Sequence, residues 1–492
     1  MDYSRYTRSR NPTPPCMTRI KGFFTQTSFM RSAALLASST VLGQGLVILV
    51  QPLLTRIYKP EDFGWWALYG SILSLAAVVI NLRYEQAIQL PKEEPEARRL
   101  LLIAVGVGLG LSLLIGAAFW FLRDNFSVWL GVPIPGWFAV LVGVGLACIA
   151  LMQSGSMWAL RLQRFGVLAQ TKFQQGLWQA LAQVGLGLLV KGPTGLLLGD
   201  VLGRLGGVQA LLRLLPRSLE GVSWLSLRQT ARRYRSFLVF GSSAALLTAA
   251  SFHLPFIVLT AFFGTAAMGQ FGLSYRITTI PVTLVAQSIG QVFFSRAAAA
   301  RETPELARLT TQTATMLLAV GLPVFGALFV IAPQAFPLIF GSEWQEAGVY
   351  ARLLAPYLLL SMVAQPLSTL LTVREWQRAL LVFTILELAL RMGAIYWGIT
   401  TQQIYWAVFL FAASSALVAG MSLVLFFRAA GVRWADFWFG LRRFIWLNLP
   451  VLLLLWGLEH WMAGWALLGL AVFLGAVVLF LTAKELGKEG LR

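Results

Sequence analysis

Span-length stretches of mostly apolar residues recur along almost the whole chain, separated by short polar breaks. No other feature restricts the fold as much. An α-helix rises about 1.5 Å per residue and the hydrocarbon layer of a bilayer is about 30 Å thick, so roughly 20 apolar residues make one crossing. Backbone groups in lipid must find partners within their own segment, which leaves helices or closed barrels. The runs are continuously apolar and lack the alternation of a barrel strand. The predicted fold is an all-α integral membrane bundle of about fourteen spans: 33–54, 63–82, 100–122, 137–160, 173–190, 194–215, 237–263, 269–294, 310–332, 350–372, 379–398, 403–427, 443–460 and 463–483. Hydrophobic residues make up 58% of the 492 and charged residues 12%, against about 25% charged in soluble domains.

The net charge of +19 raises the question of an anionic partner. With the amino terminus inside, the predicted cytoplasmic segments hold about 30 of the 39 Lys and Arg residues. The external loops hold about five: Arg56, Lys59, Arg123, Lys191 and Arg352. This asymmetry is the positive-inside rule, and it predicts both termini in the cytoplasm. It accounts for the charge without nucleic acid, and no basic-aromatic module stands outside the spans. Two cysteines, Cys16 and Cys148, are too few for a disulfide framework and are expected as free thiols. The first apolar run is span-length and has no clear cleavage site, so the basic segment before it reads as a cytoplasmic tail, with Met17 and Met30 as alternative starts. Trp65, Trp66, Trp129, Trp137, Trp344 and Trp461 lie near predicted span ends, where an interfacial aromatic belt is expected.

The longest break between apolar runs carries Arg228, Arg232, Arg233 and Arg235 and divides the chain into halves. The expected organisation is a tail over 1–30, a first lobe of six helices over 31–216, a basic linker over 217–236 and a second lobe of six helices over 237–428. Two appended helices over 443–483 and a tail over 484–492 follow. A weak internal repeat supports the division. A shift of about 205 positions lays Leu54-Thr55 on Leu259-Thr260, Tyr58 on Phe263, Gly64 on Gly269, Leu68 on Leu273 and Ile72 on Ile277. Both halves enter from the same side, so the repeats are expected to be related by an axis along the membrane normal, with a transport site between them.

An ionisable group inside a span costs about 2.5–3.5 kcal/mol on insertion scales and needs an account. Arg276 has no acidic residue one helical turn away, and Thr279, Thr283, Gln287 and Gln291 continue its helix face. That face points to a wet cavity, or to an acid on a neighbouring helix. The first span carries a similar stripe of Thr40, Gln44, Gln51 and Thr55, ending at Arg56, which fits either a cavity wall or interhelical hydrogen bonding. Arg83, at the inner end of the second span, either snorkels to the surface or meets a ligand. Asp200 with Arg204, and Glu387 with Arg391, stand four residues apart, as self-neutralising pairs do. Alternatively Asp200 or Glu387 takes up a coupling proton or sodium ion, as His253 also could. There is no Walker A sequence and no metal-ligand motif, so no cofactor is expected. The external loops are short and poor in carboxylates, which argues against an enzyme.

Three segments resemble a known family. Leu53-Leu54-Thr55-Arg56-Ile57-Tyr58-Lys59-Pro60-Glu61-Asp62-Phe63-Gly64 resembles the first external turn of bacterial polysaccharide (O-antigen type) flippases. Leu82-Arg83-Tyr84-Glu85-Gln86-Ala87-Ile88-Gln89-Leu90-Pro91 resembles the end of their second helix, and Phe340-Gly341-Ser342-Glu343-Trp344-Gln345-Glu346-Ala347-Gly348 the turn after their ninth. The resemblance runs over roughly residues 30 to 430. It places the chain in the multidrug/oligosaccharidyl-lipid/polysaccharide exporter superfamily and implies two six-helix lobes in a V that alternate between inward and outward openings. It also implies a polyprenyl-pyrophosphate-linked oligosaccharide as substrate in the bacterial inner membrane, with Arg276, Arg83 and Arg56 at comparable places to cavity arginines of relatives. Gln44, Gln51, Thr283 and Gln287 would then face the sugar. Other partners expected are membrane lipids, polysaccharide polymerase machinery and a proton or sodium gradient. The alternatives are a multidrug exporter of the same superfamily, a peptidoglycan lipid-precursor flippase, and a membrane glycan polymerase or ligase.

Overall fold

A computed structural model describes residues 42–216, 223–235, 242–459, 461–462 and 464–490. Thr40, Cys16 and the whole of the expected amino-terminal tail lie outside these residues. Among the described residues every regular element is a helix. The long ones are α1 (Leu42–Ile57), α2 (Pro60–Ala77), α3 (Glu94–Phe121), α4 (Gly136–Arg161), α5 (Phe165–Leu189) and α6 (Thr194–Leu212). After a connecting helix, Trp224–Arg233, come α7 (242–263) and α8 (265–278, continued as Ile280–Ala299). The rest are α9 (Glu305–Phe340), α10 (Gln345–Leu367), α11 (Gln377–Thr400), α12 (Ile404–Ala430), α13 (Trp434–Leu458) and α14 (Gly464–Gly490).

Residues 242–278 are two helices, not one. Gly264 has φ +78° and ψ 176°, a conformation that favours glycine. Phe256 and Tyr275 stand 5.1 Å apart, ring centre to ring centre, whereas one straight helix would separate them by about 28 Å. The chain therefore doubles back at Gly264, and α7 lies antiparallel to α8.

Ten segments among the described residues are long and apolar enough to cross a membrane, and one of them, Ala245–Ala299, contains both α7 and α8. α1, α2 and α5 fall short of that measure. In α5 the reason is a polar stripe of Lys172, Gln175, Gln179 and Gln183, and the described part of α1 is short. The expected total of fourteen spans thus exceeds what hydropathy alone supports. The starts also differ: α5 begins at Phe165, where the sequence pattern places the span from 173.

The helices pack as two groups. α5 lies along α6, α3 along α4, and α4 against α6; α9 packs on α10, α11 on α12, and α10 on α12. α13 and α14 lean on α9, outside the second group. The connecting helix is tied to the first group, where Tyr84 Oη donates to the Ala231 carbonyl at 3.1 Å and Arg233 pairs with Glu96 at 2.8 Å.

The main seam between the groups is the crossing of α2 with α8 at one end of the bundle, here the closed end. A Cβ on Gly64 would stand 1.8 Å from the Thr265 carbonyl oxygen, and one on Gly269 would stand 1.7 Å from that of Pro60. The contact is reciprocal. The shift that lays Gly64 on Gly269 also lays Pro60 on Thr265, so each repeat offers the same glycine to the same carbonyl of the other. Ala67 and Gly272, also mates in that register, face each other across the crossing. This is the arrangement of two parallel repeats about a two-fold axis along the bundle. The second half of α8 packs mainly on α10 and the short helix that follows it, Thr369–Val373, both of its own group, so the groups part toward the opposite, arginine-rich end.

The resemblance motifs meet at the closed end. Lys59 N–H donates to Asp62 Oδ2 at 3.0 Å and Pro60 opens α2, which fixes the start of that helix. Trp344 is fully buried and donates from Nε1 to the Thr55 carbonyl at 3.0 Å. Phe63 packs edge-on against it at 4.8 Å. Trp344 and Trp66, expected in an aromatic belt, instead lie between the groups, while Trp129 and Trp461 are exposed as a belt requires.

Valine at Gly64 or Gly269 should prevent closure here. A cysteine at buried Ala347, within the shared apolar cluster of this end, should react with an impermeant maleimide slowly on the native background and at least about tenfold faster with Gly64→Val.

Candidate functional site: a cationic cavity between the helix groups

Below the crossing the groups enclose a cavity of about 700 Å³. α1 contributes Gln44; α2, Trp66 and Ser71; α5, Lys172, Gln175 and Gln179; α6, Asp200 and Arg204. From the second group come His253 of α7, Arg276 and Thr283 of α8, and Tyr357 and Gln365 of α10. Three cations and one carboxylate line it, which leaves two positive charges uncompensated among these residues.

The charges are held differently. Arg204 Nε lies 2.6 Å from Asp200 Oδ2, and Gln179 Nε2 donates to Asp200 Oδ1 at 3.3 Å. The expected i,i+4 pair therefore exists and closes on itself. Arg276 has no carboxylate within ion-pair distance among the described residues. Its guanidinium lies over the Trp66 ring at 3.9 Å from the ring centre, within the range of a cation–π contact. Just below it α8 is interrupted at Thr279. Pro281 has no N–H to donate to the carbonyl one turn back, so the break falls beside the cavity.

Glu387 and Arg391 also pair, at 2.7 Å, but outside the cavity wall. Arg391 is 1% exposed. It donates from Nε to Ser415 Oγ at 2.9 Å, from Nη1 to the Ser251 carbonyl at 3.0 Å, and from Nη2 to Tyr357 Oη at 3.2 Å. One guanidinium thus joins α7, α10, α11 and α12, and Tyr357 carries that framework to the cavity surface.

The remaining expected site residues divide. Gln44, Thr283 and His253 line the cavity with Arg276 and Asp200. Gln51 is buried off the cavity and donates to its own helix at the Val47 carbonyl, 3.1 Å away. Arg56 is exposed at the closed end. Arg83 lies at the arginine-rich end, where Leu82 (φ 48°) and Arg83 (φ 64°) turn the chain into a short helix, and its buried Nε has no hydrogen-bond partner. That turn is braced by Arg161, which donates to the Ile88 carbonyl at 2.9 Å and the Pro91 carbonyl at 2.7 Å. The Gln287 side chain lies outside the described residues. Sequence reasoning missed Lys172, Gln175 and Gln179. Their spacing of three and four, repeated at Gln183, is the same signal that marks α8.

A cavity with excess positive charge, amide and hydroxyl walls and one open end can hold a hydrated anion inside an apolar bundle. A family model described as polysaccharide biosynthesis protein matches residues 53–349. The chain belongs to the polysaccharide biosynthesis protein family. It is 26% identical over 337 residues to the succinoglycan biosynthesis transport protein ExoT of Rhizobium meliloti (strain 1021), covering 63% of this chain and 62% of that protein. Among solved structures, a lipid II flippase MurJ in an inward closed conformation is similar with a TM-score of 0.74 at 9% identity, over 94% of this chain and all of that one. An inward-facing multidrug resistance MATE family transporter of the MOP superfamily is similar with a TM-score of 0.61 at 15% identity, over 80% and 98%. At these identities the likeness is one of fold, and it bears out the all-helical, two-lobed transporter architecture expected from sequence.

Removing one partner of a buried ion pair leaves the other charge uncompensated and costs about 3–5 kcal/mol. Arg391→Leu should therefore lower the thermal midpoint of the purified protein clearly, while the same change at exposed Arg56 should leave it within error.

Proposed function

We propose that this protein is a flippase that moves polyprenyl-pyrophosphate-linked oligosaccharide repeat units across the bacterial inner membrane, for O-antigen, capsule or exopolysaccharide assembly. The observation that carries the reading is the excess of two positive charges in the cavity, with Arg276 unpaired by any carboxylate. A pyrophosphate must shed water to cross, and guanidinium and ammonium groups replace that water with charge-assisted hydrogen bonds. Gln44, Gln175, Ser71 and Thr283 offer amides and hydroxyls to a sugar. The polyprenyl chain stays in lipid. A drug-cation exporter would need the opposite excess of charge.

In this reading the chain crosses the membrane fourteen times with both termini in the cytoplasm. The arginine-rich end faces the cytoplasm, and the cavity is loaded from that side. A proton or sodium gradient drives the cycle, with Asp200, Glu387 and His253 as coupling candidates. Asp200 and Glu387 are neutralised by arginines, which favours His253 among them. Polysaccharide polymerase machinery would receive the product.

A deletion strain should accumulate full-length lipid-linked repeat units that a membrane-impermeant sugar-modifying reagent cannot reach. Units that reach the outer face but stay unpolymerised would sink the flippase reading in favour of a polymerase or ligase. A hydrogen bond to a charged group contributes about 1.5–3 kcal/mol, so Arg276→Gln and Lys172→Gln should each slow flipping roughly 10- to 150-fold at unchanged expression. Wild-type rates in both variants would mean that the cavity cations do not carry the anion.

A further inference from the structure

We infer that Trp66 is the switch through which a bound anion opens the closed end: it holds the Arg276 guanidinium across the seam when the cavity is empty and loosens when a pyrophosphate neutralises that charge. The inference rests on the anion reading of the cavity given above.

Four observations carry it. Trp66 belongs to α2 and Arg276 to α8, so their contact at 3.9 Å joins the two groups. Both residues line the cavity, so a ligand reaches the pair from below. The Arg276 side chain has no ion-pair partner among the described residues, so the indole face is its close contact and the Asp200 carboxylate acts on it only from farther off. The pair also sits directly under the crossing: Trp66 is two residues past Gly64, and Arg276 is two turns past Gly269.

The geometry leaves room for a ligand. Stacking occupies the face of a guanidinium, not its N–H edge, and the edge is what binds phosphate oxygens. A pyrophosphate can therefore dock on Arg276 while it still lies over Trp66. Once there, its negative charge offsets the field that attracts the ring's π face, and the contact weakens to ordinary packing. The effect has a path to the rim. Trp66 meets Phe63 edge-on at 5.7 Å, Phe63 meets Trp344 at 4.8 Å, and Trp344 holds the Thr55 carbonyl. An empty cavity thus favours closure and a loaded one favours opening, so release of the cargo resets the gate.

The test uses the full-length protein in lipid nanodiscs, with Cys16 and Cys148 replaced. Spin labels go at Glu61 and Ala266, exposed positions that are mates in the internal repeat and flank the closed end. Distance distributions are recorded without ligand and with inorganic pyrophosphate or a short-chain polyprenyl pyrophosphate, whose binding is measured in parallel by calorimetry. The unaltered protein should show a short distance when empty and gain a longer one with pyrophosphate. Trp66→Leu, of similar apolar character without a π face, should show the longer distance already when empty, with little further response. Trp66→Phe should lie between. An empty Trp66→Leu protein with the native distribution and native thermal midpoint overturns the inference. So does an unaltered protein that binds pyrophosphate without any change in distance. Failure of pyrophosphate to bind at all would instead overturn the anion reading of the cavity, and the empty Trp66→Leu distribution still decides whether the ring holds the gate.

Discussion

Two backbones touch where α2 crosses α8, and the rest of the architecture is arranged around that touch. Lipid gives no hydrophobic drive for helix association, so helices in a membrane are held by close packing and by hydrogen bonds, and close packing needs small residues. Gly64 and Gly269 let each helix set its backbone against a carbonyl of the other. Around this point the seal is built from large side chains, Phe63, Trp344 and Leu273 among them. Below it the two groups diverge, and the volume between them is the cavity. The position of the glycines along their helices thus sets how deep the cavity lies.

Electrostatics divides the buried arginines into two kinds. Arg204 and Arg391 each have a carboxylate four residues back on their own helix, and Arg391 also saturates its donors on three other helices. Such groups organise structure. Arg276 has a ring where the others have a carboxylate. A charge whose close partner is a π face, with the Asp200 carboxylate acting on it only beyond ion-pair distance, retains much of its appetite for an anion, because a cation–π contact is weaker than a charge-assisted hydrogen bond. The distinction between scaffold and site therefore lies in the partner each guanidinium has, not in depth of burial.

Much of this was legible from residue order, and the failures have a common cause. Apolar run length gives the helical bundle, and spacing of four gives both ion pairs, because these are properties of single helices. Arg276 stood out for the same reason. What a single helix cannot display is which neighbour it faces. Trp66 and Trp344 look like belt residues because a tryptophan near a span end reads alike whether it meets lipid or a second lobe. The partners of Arg391 at Ser251 and Ser415 lie 140 and 24 residues away. Lys172 escaped because α5 begins at Phe165, a full two turns before its apolar part, and a polar helix start resembles a loop. Gln51 misled in the other direction: it belongs to a polar stripe, yet it turns back on its own helix.

The reciprocity of the glycine contact also bears on how such a chain can change over time. Away from the crossing only scattered positions of the two halves correspond at a shift of 205, and most of each half packs on its own neighbours. At the crossing they are not free. Each glycine makes room for a carbonyl of the other repeat, so a bulkier residue in either half can be accommodated only by a shift that the other half must share. Two stretches some 200 residues apart in sequence are thereby bound to change together or not at all.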